Sequence, residues 1–86
     1  MNRYFVYAIK SKKDNRIYVG ISKNPERRLE EHNNGNTPST KAYRPWDLIY
    51  KTSFSSRIEA RQEEKRLKSG YGKEFLKSFI KQFIPR

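Results

Sequence analysis

The chain has 86 residues and no cysteine, so one domain over residues 1–86 is expected, burying about 60% of its unfolded surface without disulfides or a thiolate metal centre. Only 34% of residues are hydrophobic, but 14% are aromatic and supply large buried areas for a packed core. Twenty Lys and Arg against nine Asp and Glu leave a net charge of +11, a field that attracts polyanions, nucleic acid being the commonest in a cytoplasm.

The first two apolar runs, residues 4–9 and 17–21, flank a polar stretch centred on Asp14 and Asn15. Their β-branched and aromatic content and the turn residues between them predict two strands joined by a tight loop. The first run is six residues long, too short for a signal peptide or a membrane span, so a cytoplasmic protein with no membrane partner is expected. Tyr7 and Tyr18 fall on one face of the sheet if the loop has an even number of residues. Two neighbouring phenols are a possible reaction surface, although a lone tyrosine there is more often a core aromatic with its hydroxyl at the rim.

Asn24-Pro25-Glu26 supplies a cap, a proline at the first helical position and an acidic first turn, so a short helix is predicted over residues 25–33, stopped by Asn34-Gly35. Arg28 and His32 stand four apart and share a face of it. They suit a phosphate grip, and equally a solvated surface. Residues 33–44 read as a polar loop in which Ser39, Thr40, Lys41 and Arg44 could meet a phosphate backbone. A third strand is predicted over residues 46–50, with Trp46 at the core or its edge.

Ser56-Arg57-Ile58-Glu59 fits a capping box and opens a second helix running to Lys68. Ala60 and Leu67 mark its inward stripe, with Glu63 and Glu64 each about 50° from the stripe's centre. One of the two is expected to be drawn against the sheet, where it needs a partner such as a metal ion, and helical geometry does not choose between them. Residues 69–72 then read as a break before a last helix over residues 73–84. Its apolar face is Phe75, Leu76, Phe79, Ile80 and Phe83.

Taken together these residues resemble the GIY-YIG nuclease domain, most closely its small stand-alone members. The two half-motifs stand as Phe5-Val6-Tyr7 and Tyr18-Val19-Gly20, with Tyr18 eleven positions after Tyr7. Arg28 with His32 matches the family's helix motif, residues 59–68 resemble its metal-binding helix, and residues 44–50 resemble its Arg-Pro-Trp strand. The likeness departs at Phe5, where the first half-motif has glycine, and on the last helix, which lacks the asparagine that many members carry.

The resemblance implies an α/β fold, a small three-stranded, mainly antiparallel sheet with helices in the order β-β-α-β-α-α. It implies an endonuclease that hydrolyses DNA phosphodiester bonds with one divalent metal, Mg²⁺ or Mn²⁺, and low intrinsic sequence specificity. Its register selects Glu64 as the metal ligand. Tyr7 would take the proton of the attacking water, its pKa lowered from about 10 by nearby cations. Tyr18 would orient the water or the phosphate, Arg28 would grip the non-bridging oxygens, and His32 would support one or the other. A monomer is expected, and with no second domain expected to read sequence, branched or flapped DNA, a protein partner that supplies targeting, and indiscriminate nicking all remain open. The alternatives are a non-catalytic nucleic-acid-binding module of the same fold and an RNA-binding protein, the latter weakened by the lack of a long basic tail.

Overall fold

A computed structural model describes residues 3–83, with side chains through Phe79. Strands β1 (Tyr4–Ser11), β2 (Ile17–Ser22) and β3 (Trp46–Phe54) form an antiparallel sheet in the order β2-β1-β3. Helices α1 (Pro25–Asn33) and α2 (Pro38–Lys41) lie between β2 and β3, and α3 (Arg57–Lys68) and α4 (Gly70–Phe83) follow β3. The order is the expected one, with α2 as a single added turn inside the predicted loop.

Burial explains why β1 is central: Val6, Tyr7, Ala8 and Ile9 are all nearly inaccessible, as in a strand covered on both faces. On one face Val6, Ala8 and Val19 pack with Ala60 and Leu67 of α3 and Leu76 of α4. On the other, Tyr7, Ile9 and Trp46 pack with Tyr18, Leu29, Tyr43 and Leu48. Tyr18 pairs with Ile9, two positions along β1 from Tyr7, and an even number of residues lies between the paired Lys10 and Ile17, so both tyrosines share the second face. Trp46 is buried there, as expected, and donates from its indole N–H to the Thr40 carbonyl (3.0 Å).

Caps explain the helix starts. The Asn24 side chain accepts from the Arg27 amide (3.2 Å), and Ser56 Oγ accepts from the Glu59 amide (3.1 Å). Two boundaries differ from expectation. β3 continues past Tyr50 to Phe54, because its pairing with β1 runs on to Tyr4 opposite Phe54. The break before the last helix shrinks to Ser69, whose Oγ accepts from the Gly72 amide (3.1 Å), so α4 starts at Gly70. Gly72 is a packing residue here: a Cβ at that position would overlap the backbone of Arg66 and Leu67. Of the predicted apolar face, Phe75, Leu76 and Phe79 are buried or half-buried; the Ile80 and Phe83 side chains and Ile84 lie outside the described residues.

Candidate active site

β2 is an edge strand, and along it a cleft of about 300 Å³ opens between elements from both faces of the sheet. Tyr7, Tyr18 and Gly20 come from the strands, Arg28 from α1, and Arg57, Arg61 and Glu64 from α3. Among the described residues none from α4 lines it. Gly20 stands directly across from Tyr7 in the ladder. A Cβ at Gly20 would come within 2.7 Å of the Tyr7 hydroxyl, so the bare backbone there lets the phenol lie across β2 and reach the cleft.

Behind Tyr7, α1 and α2 build a buried hydrogen-bond chain. His32 Nε2 lies 3.1 Å from the Tyr7 hydroxyl, and His32 Nδ1 lies 2.8 Å from Thr40 Oγ1. Thr40 Oγ1 also lies 3.3 Å from the Thr37 carbonyl, which can only accept; with the hydroxyl hydrogen directed there, the Thr40 oxygen accepts from His32 Nδ1–H. Nε2 is then the bare nitrogen and accepts from Tyr7 O–H. Burial, helped by the Arg28 guanidinium, holds the His32 pKa below its usual 6.5, so the ring is neutral near pH 7. The chain runs one way: Tyr7 to His32, His32 to Thr40, Thr40 to the backbone.

Burial also decides the state of Tyr7. Its pKa is pushed up to about 12, first by burial and then by the neighbouring Tyr18 phenol, and the opposing pull of Arg28 is smaller. The expectation that cations depress it is not met in the protein by itself. Arg28 is half-exposed at the cleft wall and donates from Nη1 to Glu31 (2.7 Å). The Tyr18 ring stands 4.9 Å from the His32 ring and 6.4 Å from that of Tyr7.

The two glutamates of α3 part company on either side of the Ala60–Leu67 stripe. Glu63 turns toward β3, accepts two bonds from Arg66 (2.7 and 2.8 Å) and one from Tyr50 O–H (3.0 Å), and titrates below the usual range chiefly because of Arg66. Glu64 turns toward β2, lines the cleft, and meets Lys68 at 3.1 Å. It is the sole carboxylate among the residues lining the cleft. No group of three or more His, Asp and Glu gathers among the described residues. Such a donor set fits a hard cation that brings most of its shell as water and phosphate oxygens, as Mg²⁺ does.

The expected phosphate contacts of residues 33–44 divide. Ser39 and Lys41 are exposed and Arg44 is half-exposed, away from the cleft. Thr40 requires correction: it is buried with its hydroxyl engaged by His32 and out of reach of a phosphate backbone. Arg57 and Arg61 were missed by the sequence reading. Their spacing of four, with Glu64 three further on, marks a stripe on one flank of α3.

A family model described as the GIY-YIG catalytic domain matches residues 3–77. With most of its length covered, the chain belongs to the GIY-YIG catalytic domain family. Within it the relatives are UPF0213 proteins, a small single-domain group. A UPF0213 protein from Staphylococcus saprophyticus is 36% identical over 70 residues, covering 80% of this chain and 84% of the relative. One from Staphylococcus haemolyticus is 40% identical over the same length, with the same coverage. The solution NMR structure of the UPF0213 protein BH0048 from Bacillus halodurans aligns at 29% identity with a TM-score of 0.54, covering 88% of this chain and 83% of that one. The three-stranded antiparallel sheet and its order of elements match that structure. Family membership points to nuclease-type chemistry on DNA.

Proposed function

We propose that the protein is a DNA endonuclease hydrolysing phosphodiester bonds in the cleft of Tyr7, Tyr18, Arg28 and Glu64. The observation that carries the reading is the Tyr7–His32–Thr40 chain, which ends a buried proton path at the wall of a cation-lined cleft. A phenol with a pKa of about 12 is a poor stored phenolate, but it can relay a proton. As a water in the cleft gives its proton to Tyr7 Oη, the phenolic proton passes to His32 Nε2, and His32 becomes the imidazolium. The hydroxide attacks phosphorus, the bond to the leaving sugar oxygen breaks, and that oxygen takes a proton from solvent. Tyr18 orients the water. Arg28, with Arg57 and Arg61, holds the non-bridging oxygens and offsets their growing charge. Glu64 would hold the metal, Mg²⁺ or Mn²⁺, which supplies further charge neutralisation at the phosphate and leaving oxygen when bound.

The arginines of the cleft are assigned to phosphate oxygens, which carry no sequence information, so cutting should be largely independent of sequence. Supercoiled plasmid incubated with the protein and Mg²⁺ or Mn²⁺ should be nicked, and chelation should stop the reaction. Binding without any nicking across both metals would instead indicate a non-catalytic nucleic-acid-binding module.

A further inference from the structure

At the end of β1 remote from the cleft, the β1–β2 loop is fastened to the segment between α2 and β3. Ser11 is fully buried; its Oγ donates to the Tyr43 carbonyl (2.6 Å) and accepts from the Lys13 amide (3.0 Å). The Lys12 amide donates to the Pro45 carbonyl (2.8 Å), and the Arg16 guanidinium lies 3.8 Å from the centre of the Tyr43 ring.

Three cations stand on this platform around an open groove of about 560 Å³. Lys13 Nζ donates to the Ala42 carbonyl (3.2 Å), and Arg44 Nε donates to the Lys41 carbonyl (2.8 Å). The Arg44 guanidinium lies over Gly35, whose φ of +82° favours glycine and where a Cβ would come within 2.7 Å of Arg44 Nη1. The Lys41 stem packs at the same point. Lys13, Lys41 and Arg44 pair with no carboxylate among the described residues. The acidic residues nearest them in sequence, Asp14 and Asp47, are held by Arg16 and Lys12, each at 3.5 Å. Lys13 and Arg44 are anchored by backbone carbonyls and Lys41 lines the same groove; like charges sharing a groove repel one another, and an anion there relieves that repulsion.

We propose that this groove binds the sugar–phosphate backbone of DNA several nucleotides from the phosphate in the Tyr7 cleft, and so sets the path of the duplex across the protein. The proposal rests on the nuclease reading above. Ser11 lies four positions along β1 from Tyr7, about 13 Å at the rise of a strand. The groove lies at and beyond Ser11, so it meets the backbone at other phosphates than the one in the cleft, several nucleotides away at about 3.4 Å of axial rise each. Contacts of this kind fix register without reading bases.

The test is fluorescence anisotropy of a labelled 24-base-pair duplex across a salt series. It compares wild type, Lys13→Gln/Lys41→Gln, and a control that removes two α4 cations, Lys73→Gln/Lys77→Gln. The groove variant should bind more weakly, with the slope of log K against log salt shallower by about 1.8, two phosphates at about 0.9 each. The control should keep the wild-type slope. If the double variant does not fold, Lys41→Gln alone serves, since its ammonium makes no hydrogen bond to the described residues, and its slope should change by about 0.9. A groove variant that binds like wild type, or a control that loses as much, overturns the groove and leaves the nuclease reading intact. Wild type that neither binds nor cuts DNA overturns both.

Discussion

Thr40 acts on the phenol at one remove: its hydroxyl fixes which nitrogen of His32 carries the hydrogen, and the other nitrogen then faces Tyr7. In Thr40→Val the shape is nearly kept while His32 Nδ1–H loses its buried acceptor, a cost of about 1–3 kcal/mol. The histidine should then shift toward the other tautomer, visible in the ring nitrogen signals by NMR. Cleavage should fall about 10²-fold, the lower range for general acid–base catalysis, and Thr40→Ser should restore both. A valine variant with the wild-type tautomer and rate would remove Thr40 from the site. The sequence hid this role because threonine in a polar loop carries the signature of an exposed hydroxyl. What turned it inward was the unseen turn α2, of which it is the buried residue. Glu63 and Glu64 were ambiguous for a different reason. They sit symmetrically about the Ala60–Leu67 stripe, and only the sheet beneath shows that one side holds Tyr50 and the other the cleft.

Among the elements, those with chemical punctuation were legible to the residue. α1 begins at its Asn24-Pro25 cap and α3 at its Ser56 capping box, as their sequences predict. The paired tyrosines followed from the period-two pleat, since an even number of residues lies between the paired Lys10 and Ile17. α4 was misread at its start because glycine weakens helices by propensity, yet here close packing outweighs that cost. Gly72→Ala should therefore destabilise the protein despite the better helix former. Overlap with the backbone of α3 should cost about 3 kcal/mol, lowering the melting temperature by more than about 10 °C in a domain of this size. Gly70→Ala, where a Cβ meets nothing within 4 Å, should be neutral or slightly stabilising. Equal effects of the two alanines in thermal unfolding would contradict the packing account.

At the scale of the whole molecule, the positive charge was the plainest signal in the sequence, but its distribution was not. Ion pairs consume cations such as Arg66 and Lys68, and leave Arg57 and Arg61 at the cleft and Lys13, Lys41 and Arg44 at the groove without carboxylate partners among the described residues. Stability should carry the mark of His32. Its folded pKa lies below the 6.5 of the unfolded chain, so between the two values the unfolded state binds more protons. Stability should fall as pH drops through 6.5 and level off below the folded pKa. Glu63, depressed by Arg66, adds its own loss only under the usual carboxylate value of 4.5. Urea midpoints at pH 7.5 and 5.5 test this: wild type should unfold more readily at the lower pH, and His32→Gln should show a flatter dependence. An equal dependence in both would assign the effect elsewhere. The central claim is that Glu64, and not its neighbour, serves the chemistry of the cleft. Its most direct test is plasmid nicking in Mg²⁺ by Glu64→Gln and Glu63→Gln side by side, with thermal unfolding of each. Glu64→Gln should melt near wild type and lose cleavage by orders of magnitude, since the cleft then holds no carboxylate for a metal. Glu63→Gln should lose about 1–2 kcal/mol with its Arg66 and Tyr50 bonds weakened, yet cut at close to the wild-type rate. Normal cutting by Glu64→Gln, or loss confined to Glu63→Gln, would contradict the account.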